Sequence, residues 1–193
     1  MFTSSRRQRG VTMIELVMFI VIIGVALAGL LQVLNFTTKT SADPLRQKQA
    51  LMIAEGLLEE VRLSAFTYCE PTDAKVATAA SAAECTVKES FGLAAGANAA
   101  RPYGNINDYV DAAATAKAAF NDADGKLVDA HGNKIDVDGY TAQVTIRPAL
   151  LNGIGAVGSS ADTDVLRITV EVSYDGQTLA LDGYRTRYAP NFP

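Results

Sequence analysis

A chain of 193 residues with a net charge of −4 and one histidine has room for about one globular domain. It lacks the basic excess through which nucleic-acid binders displace counterions, so a nucleic-acid partner is not expected. Two cysteines and a single histidine leave no nucleophile–base set, and no glycine-rich phosphate loop is present, so an enzyme is not expected either.

The first predicted element is a membrane span. Residues 1–10 carry Arg6, Arg7 and Arg9. From Leu16 to Leu31 every residue is apolar or glycine; Gln32 interrupts, and Val33 and Leu34 follow. About 20 such residues cross a bilayer core of roughly 30 Å. The arginines precede the span and Lys39 is the first base after it. The positive-inside rule therefore keeps the N-terminus in the cytoplasm and puts the chain beyond Thr37 outside. Glu15 stands inside this apolar stretch. An ionised group in a bilayer costs about 2.5–3.5 kcal/mol or more, so such an acid marks function and calls for a partner. The partner expected here is the α-amine of a neighbouring subunit, created by a cut after Gly10. Two competing readings are a plain signal anchor and a cleaved secretory peptide, the second supported by Ala26-Leu27-Ala28 behind an apolar run. Against them, Glu15 interrupts the start of that run, and the run continues past Ala28.

Thr37 to Pro44 is a polar exit from the bilayer. Pro44 either kinks one long helix or opens a second, with Asp43 or Ser41 as its cap. From Leu45 to Phe66 the pattern is amphipathic: Ala50, Ala54, Leu57, Leu58, Val61 and Ala65 share a stripe that has to cover something, and a sheet is the expected partner. Helix from Thr12 to Ala65 would be roughly 80 Å long. Residues 66–103, with alanine-rich runs at 77–83 and 94–100, read as loops or short helical turns. Asn107 to Phe120 reads as a short helix with Tyr109, Ala113, Ala116 and Phe120 on one side.

The C-terminal third reads as strand. Tyr140, Ala142, Val144 and Ile146 alternate with polar residues, as do Leu166, Ile168, Val170, Val172 and Tyr174, the pattern of antiparallel strands with one buried face. Asp175-Gly176 is a two-residue hairpin turn. It predicts that Val172 faces Leu179 and Val170 faces Leu181. Gly183 is expected to permit a bulge, and the glycine-rich 149–164 connection to be mobile. The predicted fold class is α+β: a long N-terminal helix, half membrane-spanning and half amphipathic, packed on an antiparallel sheet of three or more strands.

Outside the cytoplasm, Cys69 and Cys85 are expected to form a disulfide, since their spacing fits no CxxC motif. Asp122, Asp124, Asp136 and Asp138 lie beside glycine turns and are weak calcium candidates; neither segment completes a calcium loop, and Asp-Gly also simply makes turns. No cofactor and no further metal is expected. His131 reads as an exposed turn residue.

The segment Gly10-Val-Thr-Met-Ile-Glu15 resembles the cleavage and methylation signature of type IV pilins and pseudopilins: a short basic leader, a glycine before the cut, and a glutamate at the fifth mature position. Val11 stands where phenylalanine is commonest, and the proline that many major pilins carry along the membrane helix is replaced near its place by Gln32. This favours a minor subunit. A narrower resemblance, to minor pilins of the mannose-sensitive haemagglutinin (MSHA) pilus, rests on Asp43–Ala50, Ala54–Arg62, Phe66–Cys69 with its acidic Pro-Thr-Asp sequel, and Arg187–Asn191. It implies a prepilin leader at 1–10, a transmembrane and assembly helix at 11–36, an amphipathic helix half at 37–66, and a periplasmic head at 67–193 with the disulfide loop 69–85. It further implies cleavage between Gly10 and Val11, N-methylation of Val11, and an assembly role for Glu15. Loss of the leader takes the net charge from −4 to −7. The implied partners are the membrane, a prepilin peptidase, the inner-membrane assembly platform, and other major and minor pilins. The subunit would be held in the inner membrane and then enter a surface fibre near its tip. A pseudopilin of a type II secretion system, or a tip adhesin, are the alternative functions.

Overall fold

The computed structural model describes residues 10–40 and 44–187, in two compact units, Met1–Pro44 and Leu45–Pro193. The first holds one helix, α1 (Met13–Thr40), whose Met13–Leu34 stretch is long and apolar enough to cross a membrane. Its large apolar side chains are exposed all round, from Met13 to Leu34. A helix apolar on every side is built for lipid or for the inside of a bundle.

The second unit opens with α2 (Pro44–Leu63). Pro44 occupies its first position, where a missing N–H costs nothing and the fixed φ suits the helix. The caps expected of Ser41 and Asp43 lie outside the described residues, as does the junction on which a continuous rod depends. Ala50, Ala54, Leu57, Leu58 and Val61 are buried, as the stripe predicts, while Ala65 falls beyond the helix end and is half-buried.

Their partner is a three-stranded antiparallel sheet. It comprises β1 (Tyr140–Pro148), β4 (Val165–Tyr174) and β5 (Gln177–Thr186), in the order β1-β4-β5. Tyr140, Ala142, Val144 and Ile146 of β1 and Ile168, Val170, Val172 and Tyr174 of β4 are buried in one cluster with the α2 stripe. The opposite face is polar, with Gln143 bonded to Glu171 and Arg167 to Asp182. Asp175 and Gly176 have φ of 47° and 74°, the primed turn that matches strand twist. Its register pairs Val172 with Leu179 and Val170 with Leu181, as the turn predicts.

Two expectations are corrected. Residues 107–120 are not a helix. A single 3-10 turn, Ile106–Tyr109, is followed by bends and turns, with Ala114 at φ 58° and an isolated bridge at Lys117. Lys117 exchanges both backbone hydrogen bonds with Val144, and Ala114 donates to Ile146. The free edge of β1 supplies better partners than a short isolated helix, which is marginal in water. Tyr109 and Phe120 are buried all the same. Gly183 makes no bulge, because the β4–β5 ladder runs unbroken past it. It is instead a point of close approach, where an added Cβ would meet Leu58 at 3.1 Å and Arg62 at 3.3 Å. Within the 149–164 connection, β2 (Leu150–Leu151) and β3 (Ile154–Gly155) form a small antiparallel ladder.

The helix and the loops are tied by one buried ion pair. Arg101 donates to both carboxylate oxygens of Glu60, at 2.8 and 2.6 Å, and to the carbonyl of Val128. The Tyr109 hydroxyl donates to the same carboxylate at 2.9 Å, and Arg101 lies 4.9 Å over the ring of Phe120. The side chains of Arg101 and Glu60 are only 7% and 11% exposed. Such a pair adds little against an apolar substitute, but breaking it strands a buried charge. We therefore expect Arg101→Met to destabilise the protein by about 3–5 kcal/mol, and Glu60→Leu in the same chain to restore most of that. Chemical denaturation of the three proteins in detergent micelles checks both outcomes.

Candidate functional site

At the N-terminus, Gly10 and Val11 are exposed and precede the helix. Thr12 stands just before α1 and Glu15 in its first turn. The Glu15 carboxylate accepts from the Thr12 N–H and hydroxyl, each at 3.0 Å, and the Glu15 N–H donates to the Thr12 hydroxyl oxygen at 3.3 Å. This is a reciprocal capping box, which satisfies donors that a helix start leaves orphaned. The acid is thus at the start of the apolar stretch, beside the positive end of the helix dipole, rather than midway along it. Sequence reading found Glu15 and missed Thr12, although Thr-x-x-Glu ahead of an apolar run is the signature of such a cap.

The model of the prokaryotic N-terminal methylation motif matches residues 5–31. That motif makes the N-terminus of the chain like that of type IV pilins and pseudopilins. The matched stretch includes Gly10, Val11, Glu15 and the first part of α1, and covers a small share of the 193 residues. No curated protein and no solved structure matches the chain, so the head has to be understood from its own geometry.

In the head, Cys69 and Cys85 are joined, with Cα atoms 5.3 Å apart. Asp73 organises the loop they close, accepting from the N–H groups of Lys75 at 2.8 Å and Val87 at 2.6 Å. Cys69 pairs with Lys88 as an antiparallel bridge. The Glu70 N–H donates to the Val87 carbonyl and the Glu89 N–H to the Tyr68 carbonyl. That bridge brings Glu70 and Glu89 together, and the turn Ile106–Tyr109 adds Asp108, so that carboxylate oxygens of all three lie within 4.8 Å of one another. Glu70, Glu89 and Asp108 are 2%, 8% and 1% exposed. Burial, reinforced by Glu70 and Asp108, pushes Glu89 up to about 9. Burial also lifts Asp108 to about 6, against the backbone hydrogen bond from Asn105. No sequence signal pointed to this group, because acids scattered through loops read as solvated.

The aspartates considered for calcium are not gathered into one site. Asp122 caps its own turn, accepting from the N–H groups of Asp124 and Lys126, each at 2.9 Å. Lys134 reaches Asp122 at 3.2 Å and Asp124 at 3.4 Å, and Lys126 reaches Asp138 at 2.6 Å. The backbone of Lys126 first, and then Lys134, hold Asp122 below the usual carboxylate range; Lys126 does the same for Asp138. Asp136 is exposed. Two lysines thus hold the place a cation would take. His131 is an exposed turn residue whose N–H donates to Asp129. An apolar groove of about 900 Å³ runs beside α2, walled by Met52, Ile53, Leu57, Leu63, Tyr103 and Ile135.

The two cysteines are separated by 16 positions. Chain entropy in the unfolded state gives such a closure about 3 kcal/mol. We expect the double replacement Cys69→Ser, Cys85→Ser to lose that amount, read as a lower denaturation midpoint. An unchanged midpoint would deny the bridge a stabilising role.

Proposed function

We propose that this protein is a minor pilin of a type IV pilus, held in the inner membrane by Val11–Leu34 with its head in the periplasm, and drawn into the fibre at or near the tip, where it helps assembly to begin. The observation that carries this reading is the placing of Glu15. It is fifth after the Gly10–Val11 junction and in the first turn of a helix that is apolar on every side. The motif is shared by pilins and pseudopilins. The narrower reading rests on the resemblance of residues 43–69 and 187–191 to MshD, a minor pilin of the MSHA pilus, and on the missing helix proline.

The mechanism follows from the price of a buried charge. A prepilin peptidase cuts after Gly10 and methylates the new amine of Val11. While the subunit waits in the membrane, Thr12 keeps the Glu15 carboxylate hydrogen-bonded. On extraction, α1 leaves lipid for the apolar helices of other pilins, and Glu15 meets the α-amine of an adjacent subunit. The pair adds little net stability over apolar contacts, but a subunit out of step leaves a charge buried alone, which is costly. The interaction therefore sets axial register.

Two measurements test this. Mass spectrometry of the protein co-expressed with a prepilin peptidase should find a chain beginning at N-methylated Val11, and Gly10→Val should keep the leader. A chain that begins at Gly29, or still carries its arginines, removes the reading. Glu15→Leu, as the sole copy, should enter the membrane normally and yield few or no fibres; normal piliation would end the role given to Glu15. Recovery of the protein in sheared surface fibres distinguishes a pilin from a secretion pseudopilin.

A further inference from the structure

The buried acids beside the disulfide take no part in the mechanism proposed above, and their hydrogen bonding is incomplete. One oxygen of Glu70, both oxygens of Glu89 and one of Asp108 are buried without a hydrogen-bond partner. Asn107, fully buried, lies against Glu89 and favours its charged form, yet neither atom of its amide is closely paired. Buried polar atoms are nearly always paired, so four orphaned carboxylate oxygens, on three side chains that meet in one place, call for a missing positive charge.

The nearby bases act on these acids only through space, Lys117 on Asp108 and Arg187 on Glu89. Arg187 lies over the rings of Phe66 and Tyr68, at 4.0 and 4.3 Å, and donates to the carbonyls of Thr67, Ala161 and Thr163. Lys117 is held by Asp111 at 2.7 Å. Neither gives a hydrogen bond to the three acids.

We propose that Glu70, Glu89 and Asp108, with the side chain of Asn107 beside them, form a calcium-binding site that locks the disulfide loop to the Ile106–Tyr109 turn. The donors are all hard oxygens, the set that suits calcium or magnesium rather than zinc or copper. Magnesium gives up its water reluctantly and is rarely held by a cage of protein groups alone, whereas calcium accepts several carboxylates in flexible geometry, so a buried group of three acids suits the larger ion. The site has a way in. Glu89 borders a polar cleft of about 610 Å³ lined also by Ser90, Asp111, Ser160 and Asp162. The Asp122–Asp138 region is a different place, where lysines already neutralise the acids.

The test uses the full chain in detergent micelles, stripped with a chelator and titrated with calcium chloride alone. We expect one calcium per chain by calorimetry, with affinity inside the roughly 10⁻⁴–10⁻³ M range of extracellular calcium modules or tighter. At a hundredfold excess over the dissociation constant, the unfolding midpoint should rise by about 5–10 °C. Glu89→Gln removes a ligand charge while relieving repulsion among the acids, so it should fold without calcium yet bind at least tenfold more weakly and lose the thermal shift. No binding and no shift in the unsubstituted protein up to about 10 mM calcium overturns the proposal, and that result stands even if the variant fails to fold. A calcium response that survives Glu89→Gln belongs to another site and overturns it as well; a preference for magnesium overturns the assignment to calcium. None of these readouts depends on leader cleavage or fibre formation, so they stand or fall apart from the pilin reading.

Discussion

The apolar side of α2 and the inward face of β1, β4 and β5 cannot be stable apart. A helix of this length is marginal in water alone, and a three-stranded sheet exposes an apolar face until something covers it. Each therefore supplies the other's burial, and the head is arranged around that contact. Ala50 and Ala54, both fully buried, keep the helix surface low at the interface. At Gly183 the chain does without a side chain where Leu58 and Arg62 come close. The start of α2 is fixed by Arg46, which grips the hairpin turn through both oxygens of Asp175 and lies 4.5 Å over the ring of Tyr140. The long stretch between helix and sheet then closes the sides of the core with Phe66, Ile106, Tyr109, Phe120 and Leu127, all 2% exposed or less.

Two groups of charge are enclosed by that packing, and they differ in how the cost is met. Glu60 has a bidentate guanidinium and a phenol, so its carboxylate is satisfied within the fold. Glu70, Glu89 and Asp108 face mainly one another. Like charges in a poorly hydrated space raise each other's proton affinity or recruit a cation. The first arrangement needs only the folded chain; the second is complete only when something from solution joins it. That contrast separates a structural ion pair from a site.

The N-terminal unit obeys a different rule. Over Met13–Leu34 its helix has no polar side, a surface suited to lipid or to other apolar helices. Its one acid is held at the first turn, where the Thr12 cap and the helix dipole reduce the cost of ionisation. In the proposed role the same carboxylate can be handed from its local cap to a neighbour's amine without passing through an unpartnered state. The head needs no such change of surroundings, because its core is its own.

Much of this was legible in the residues alone, wherever the signal is local. The apolar stretch, the glutamate at its start, the buried stripe of α2 and the hairpin with its register are all fixed by spacings of one to a few residues, through helix and strand periodicity and the φ demanded at Asp175-Gly176. The 107–120 segment shows where local pattern fails: its spacing suits a helix, but the open edge of β1 offered Lys117 and Ala114 a better hydrogen-bonding partner. Gly183 was read as a bulge because nothing in its neighbours tells of Leu58 and Arg62 pressing from a distant helix. Arg101 and Glu60 are 41 positions apart, and the three buried acids come from separate loops that only the Cys69–Lys88 bridge and the Ile106–Tyr109 turn bring together. The sequence by itself determined the span, its acid and the secondary structure whose energetics are decided within a turn or a hairpin. Only the tertiary structure decided which charges meet and which backbone edges are filled, because those outcomes depend on contacts between segments whose separation in the chain carries no information about their separation in space.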